Sequence, residues 1–217
     1  MDSTKNAVVF LSEGFEEAEA LVPVDYLRRA GCTVTTVAVP AVSKARCGEP
    51  EKRCSDERCV LSSHGIQVIA DKTLSEFALE GFPLADLVFL PGGMPGSTNL
   101  AASAEVCDYV LKMNGEGKIV SAICAAPIVV LGKLGILSGK EYTCYTGMEK
   151  EAAKFCGEDW QSLFAGAVHK NAVPFVKSGN VITGKGAGAA PLFALELVRA
   201  LFGDKEADEL YERVCQF

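Results

Sequence analysis

Apolar residues along this chain cluster on two different length scales. Short runs at Ala7–Leu11, Thr33–Val39, Ile66–Ala70, Ala85–Leu90 and Lys118–Ile123 are rich in valine and isoleucine, and several lack polar alternation. Such runs suit strands covered on both faces. Weaker runs lie near Tyr142–Cys144, Ala167–Val168, Val173–Val176 and Val181–Thr183. Longer mixed segments of helical character separate them. Glu16–Ala30 stops at Gly31, and Ser103–Asn114 opens on a serine cap and stops near Gly115. Ala125–Leu134, Glu149–Phe155, Ala189–Phe202 and the charged stretch Lys205–Cys215 complete the predicted helices. Strand–helix alternation at this spacing predicts an α/β fold, a mostly parallel central sheet with helices on both faces. Ligands of such sheets gather at the carboxyl ends of the strands.

With no internal repeat, linker or low-complexity block, residues 1–217 read as one domain. One charged segment breaks the pattern, "SKARCGEPEKRCSDERC" at 43–59, and reads as an insertion. It carries Cys47, Cys54 and Cys59, and His64 follows. A zinc site would use those four residues, but their spacing is wider than the tight pairs of usual zinc folds. The reading taken is a solvated excursion with incidental thiols, and no metal is expected.

The net charge of −7 argues against nucleic acid and anionic membranes as partners, since both attract a basic face. No apolar run approaches the roughly 18 residues that a spanning helix needs. The opening "MDSTKNAVVFLSEGFEE" lacks a basic leader with a long apolar core, so a cytoplasmic protein is expected. Nine scattered cysteines without a C-x-x-C pair then read as free thiols.

Cys124 stands apart among them. It follows the apolar run Ile119–Ile123 and precedes a segment of helical character, with Ala122 and Ala126 two residues to either side. A side chain on such a strand-to-helix corner points toward the ligand crevice, and small neighbours let the backbone take the strained turn. The unpaired N–H groups of a helix start favour an anion, and the thiolate is the reactive form of cysteine. An inert buried cysteine is the alternative on position alone. Two further elements point the same way. "LPGG" at 90–93 ends another apolar run, and its glycines let backbone N–H groups approach an oxyanion. "GFEEAEALVP" at 14–23 places Glu16, Glu17 and Glu19 at a helix start. First-turn acids are ordinary, but Pro23 cannot donate to the carbonyl of residue 19, and a bend there would aim Glu19 into the crevice.

"GFEEAEALVPVDYLRRAG", "LVFLPGGMPGSTNL", "SAICAAP" and "ITGKGAGAAPLFALELV", in this order, resemble the ThiJ/PfpI family, in particular the branch of the Parkinson-disease-associated protein deglycase. The resemblance covers nearly the whole chain outside 43–59. It implies a flavodoxin-like three-layer sandwich, usually a homodimer. It implies Cys124 as the reactive residue, Glu19 as its carboxyl partner, and Gly92, Gly93 and Ala125 around an oxyanion. It also implies a cofactor-free glyoxalase or deglycase acting on methylglyoxal, glyoxal or their early adducts. Other members are described as oxidative-stress sensors or redox-regulated chaperones, which makes oxidation of Cys124 the alternative function. A charged Glu19 would raise the thiol pKa, whereas a protonated one would lower it, so the carboxyl is expected to hold the proton and the sulfur the charge.

Departures from the family narrow the reading. Peptidase-like members have a histidine directly after the cysteine, where this chain has Ala125, so a peptidase is disfavoured. The deglycase branch often has a histidine where "YTCYTG" places Tyr145, which still offers a hydroxyl. His64 and His169 read as structural or exposed rather than catalytic. Glutamine amidotransferases need a late H-x-E pair, and "HKN" at 169–171 is not one. A flavin carrier needs a phosphate-cradling loop after the first strand, where "SEGFEE" is too acidic. "GKGAGAA" at 184–190 reads as a tight connection beside the crevice, and Cys144 as the other thiol near the site.

Overall fold

A computed structural model describes residues 4–43 and 54–214. In chain order the elements are β1 (Asn6–Ser12), α1 (Glu17–Arg29), β2 (Thr33–Val39), β3 (Cys59–Leu61), β4 (Gln67–Ile69), β5 (Lys72–Thr73) and α2 (Leu74–Leu79). Next come β6 (Leu87–Leu90), α3 (Gly96–Ala102), α4 (Ala104–Gly115), β7 (Ile119–Ile123), a π-helical turn (Pro127–Gly132), β8 (Glu141–Tyr142), α5 (Ala152–Cys156) and α6 (Trp160–Leu163). The remainder is β9 (Val168–His169), β10 (Phe175–Ser178), β11 (Val181–Gly184), α7 (Ala190–Phe202) and α8 (Asp204–Val214).

Seven strands form the central sheet, in the order β10-β11-β7-β6-β1-β2-β5. All neighbours are parallel except β10 and β11. The run β2-β1-β6-β7-β11 is the 2-1-3-4-5 order of flavodoxin-like folds, with its switch point between β1 and β6. Successive residues of β1 serve opposite faces. Val8 and Phe10 join Val88, Leu90, Val120 and Ala122 in a core that includes residues of α2, α3, α4 and the π-helical turn. Ala7, Val9 and Leu11 join Leu87, Phe89 and Ile182 in a second core with α1, α7 and α8. Both faces are therefore dry, which is why these strands read as unbroken apolar runs.

Several expected elements settled elsewhere. Residues 66–70 are outside the central sheet: β4 pairs antiparallel with β3 in a separate hairpin. Ile66 and Ile69 are half-exposed there, so this apolar run is not covered on both faces. The sheet edge beside β2 is taken by β5, next to Asp71, whose carboxylate accepts from the Thr36 N–H and hydroxyl at 2.8 Å each. The runs near 142 and 168 become β8 and β9, a short parallel pair of their own. The run at 173–176 moves to β10, an antiparallel edge strand. The helix expected over Ala125–Leu134 is a π-helical turn opened by Pro127. Most of the 43–59 insertion, Cys47 included, lies outside the described residues, as does Cys215. Cys32, Cys54, Cys59, Cys107, Cys124, Cys144 and Cys156 are free thiols.

Candidate active site

The carboxyl ends of β1, β6, β7 and β11 bring the residues singled out in the sequence together. β7 ends at Ile123, and Cys124 turns the chain with φ +64. That left-handed conformation is costly for a residue with a Cβ. Two backbone bonds hold the corner. The Cys124 N–H donates to the Gly184 carbonyl at 3.0 Å, and its carbonyl accepts from the Tyr145 N–H at 2.8 Å. The strand-to-helix corner at Cys124 is thus an alanine-flanked turn pinned to its neighbours.

The loops after β1 and β6 interlock. Gly93, at φ +89, packs so closely on the backbone of residues 14–16 that a Cβ there would collide with it. The Glu16 N–H donates to the Gly92 carbonyl at 3.0 Å. Gly92 has its own reason to be glycine: a side chain would collide with both the Glu19 carboxylate and the Cys124 Cβ. That near-collision also fixes how tightly the acid and the thiol converge.

The three acids at the start of α1 have three fates. Glu16 caps the helix, its carboxylate accepting the Glu19 N–H at 2.6 Å. Glu17 pairs with His64, Oε1 to Nδ1 at 2.9 Å. Glu19 is 1% exposed and faces Cys124. Burial pushes its carboxyl up to about 7, opposed by the Cys124 thiol and assisted by the charge of Glu16, with the Gly92 and Ala187 N–H groups also pulling it down. None of these donors reaches Oε2 at hydrogen-bonding geometry, so that oxygen is buried without a partner. An acid in this setting keeps its proton to near neutrality.

Burial also pushes the Cys124 thiol up, as do the charge on Glu19 and the bond to it, while the Gly93 and Ala125 N–H groups pull it down. Two of the opposing effects exist only while Glu19 is ionised. The two protons are therefore coupled, and the pair carries a single negative charge around neutrality. This revises the sequence expectation, which put the charge on sulfur: Glu19 loses its proton near 7 while burial and that charge hold the Cys124 thiol well above its ordinary range, so the resting charge lies on the carboxyl. A thiolate forms only when Glu19 takes the proton.

The Gly93 and Ala125 N–H groups face the sulfur, and the Gly92 N–H is directed to Glu19. Tyr145 is 56% exposed and lines an open cavity of about 470 Å³ with Val173, Pro174, Lys185, Gly186 and Ala187. Gly186 joins that cavity to the pair: a Cβ there would lie 3.7 Å from Glu19 Oε1 and 3.6 Å from the Tyr145 ring. Sequence reasoning placed "GKGAGAA" beside the crevice but missed the Ala187 N–H as a group acting on Glu19. An alanine whose backbone is what matters leaves no side-chain signal. Burial pushes the Cys32, Cys107 and Cys156 thiols up as well, as expected of filler cysteines.

The sequence profile of the DJ-1/PfpI family matches residues 5–200. Protein dj-1beta of Drosophila melanogaster is 32% identical over 207 residues, covering 95% of each chain. The glutathione-independent glyoxalase DJR-1.2 of Caenorhabditis elegans is 27% identical over 219 residues, covering 99% of this chain and 98% of that one. Among solved structures, a mutant of the DJ-1 superfamily protein STM1931 from Salmonella typhimurium superposes with a TM-score of 0.77 at 37% identity, over 97% of this chain and 98% of that one. Profile, relatives and fold agree: the chain belongs to the DJ-1/PfpI family, on the branch with the DJ-1 and Parkinson disease protein 7 homologues.

Proposed function

We propose that this protein is a cofactor-free glyoxalase or deglycase that uses Cys124 as nucleophile and Glu19 as proton carrier on small reactive dicarbonyls. The observation that carries the reading is the buried Glu19 carboxyl, with one oxygen unpartnered, facing a thiol on a strained elbow. The glyoxalase name of the Caenorhabditis elegans relative supports the same class of chemistry.

With methylglyoxal, proton transfer to Glu19 leaves the charge on sulfur, which attacks the aldehyde carbon. The carbonyl oxygen takes up the displaced charge and then a proton, giving a hemithioacetal. Near the sulfur, the Gly93 and Ala125 N–H groups stabilise that developing oxyanion. Glu19, once ionised, removes the former aldehyde hydrogen as a proton while the ketone oxygen takes up the negative charge and a proton. The proton on Glu19 then returns to the adjacent carbon as the hydroxyl on the first carbon gives up its own proton and becomes the thioester carbonyl. The result is a lactoyl thioester on Cys124. Water then cleaves the C–S bond, releasing lactate and restoring the thiol. Carbon is oxidised at one centre and reduced at its neighbour, so no external redox partner enters. The 470 Å³ cavity and the Tyr145 hydroxyl provide the substrate-binding face. The working form is proposed to be a cytoplasmic homodimer.

Lactate formation from methylglyoxal tests the reading. Cys124→Ala is expected to abolish turnover, and Glu19→Gln to lower it by roughly 10²–10⁴-fold. Turnover that survives Cys124→Ala overturns the mechanism. Wild-type protein that makes no lactate while peroxide selectively oxidises Cys124 identifies a redox sensor instead.

A further inference from the structure

Cys144, Glu149 and His169 form a second cluster, separate from the Cys124–Glu19 pair. Cys144 Sγ lies 3.7 Å from His169 Nε2, and these atoms and a Glu149 carboxylate oxygen all lie within 4.8 Å of one another. Pairing of Tyr142 with His169 across β8 and β9 brings the thiol and the imidazole together, and the 3₁₀ turn Met148–Glu151 carries the acid. The donors are oriented from behind. The Tyr142 ring stacks on the imidazole, with centroids 5.2 Å apart and planes at 29°. The Glu149 carboxylate accepts the Gly147 N–H at 2.8 Å. Partners of this kind fix the ligands of metal sites.

We propose that Cys144, Glu149 and His169 bind a divalent transition-metal ion of the zinc class, leaving a fourth position for water. Sulfur, imidazole nitrogen and carboxylate oxygen are a donor set that suits zinc, and three protein ligands with an open position are a common zinc arrangement. The geometry agrees. Metal bonds of about 2.3 Å to sulfur and about 2.0–2.1 Å to nitrogen at the tetrahedral angle put these two atoms about 3.6 Å apart. Cys144 is fully buried, which closes it to an organic substrate but not to an ion entering past the half-buried His169 and Glu149. Binding releases the thiol proton to solvent and leaves the imidazole neutral. Cys144 was singled out in the sequence only as a thiol, because these three ligands share no recognised spacing. The proposal does not depend on the reaction at Cys124.

Cobalt(II), which occupies tetrahedral zinc sites and reports thiolate ligation by a charge-transfer band, is the probe. Titration of the purified full chain is expected to give that band with one ion per chain, and zinc to displace it. Cys144→Ser removes the band. His169→Gln and Glu149→Gln, at half-buried positions, weaken binding at least about tenfold with the fold retained by circular dichroism. Cys124→Ser leaves the band in place. A wild-type chain without the band, or a band that persists at full strength in His169→Gln and Glu149→Gln, overturns the proposal. So does a band lost with Cys124→Ser. Binding at the group Glu16, Glu17 and His64 involves no thiolate and gives no such band.

Discussion

At the residue scale the site is a problem of where one proton resides. Glu19 is buried and raised to about 7, and Cys124 is raised further while Glu19 is charged. The pair therefore loses its first proton near pH 7, and the fully protonated pair has no nucleophile. kcat/KM for methylglyoxal is expected to rise between pH 5 and 8 with an apparent pKa of about 7 and then level off. A pH–rate profile flat across that window removes the coupled pair. The same group sets a stability trend of definite sign. Its folded pKa is higher than the usual 4.5, so the folded state binds more protons between about 4.5 and about 7. Stability is greatest below this window and falls as pH rises through it. Thermal melts of Glu19→Gln should lack that fall and exceed wild type above pH 7.

Between residue and sheet, element ends do most of the positioning. Glu16 caps α1 and so releases Glu19 to face the core; the acids look alike in sequence and separate only by their place on the helix. Ser103 closes α3 with its N–H to the Leu100 carbonyl, and opens α4 with its hydroxyl accepting the Val106 N–H at 3.3 Å. Its cap was legible from the sequence. Ser103→Ala is expected to cost about 1 kcal/mol, measured by denaturant unfolding. Helix α2 was not foreseen, although Thr73 and Glu76 form a full capping box around its start. The signal was there in "TLSE", but a helix of 6 residues offers too short an apolar stripe for periodicity to register. The π-helical turn after Cys124 was unreadable in another way. Apolar spacing predicts a helical segment there, whereas its hydrogen-bond pattern is settled by packing of the fully buried Ile128–Leu131.

On the scale of the whole molecule, a sheet dry on both faces sets β1, β6 and β7 side by side and so fixes the crevice at their ends. Phe10 anchors one face, edge-on to Phe77 at 6.0 Å and to Tyr109 at 5.5 Å. Phe10→Ala is expected to destabilise by about 3–5 kcal/mol, read as a shift of the denaturation midpoint. Its partner on the other face, Phe89, packs on Phe193 of α7. These two layers hold the loops after β1 and β6 close enough for Gly92, Glu19 and Cys124 to converge.

By itself the sequence determined the layered α/β architecture, the corner at Cys124 and the family, because buried strands, caps and glycine-rich turns impose local patterns that survive in one dimension. Only the tertiary structure decided where the charge of the Cys124–Glu19 pair rests, that the Gly92 and Ala187 N–H groups act on Glu19, and that Cys144, Glu149 and His169 lie together. Burial and long-range contact set those, and neither a desolvated carboxyl nor a backbone donor leaves a mark in the residue string.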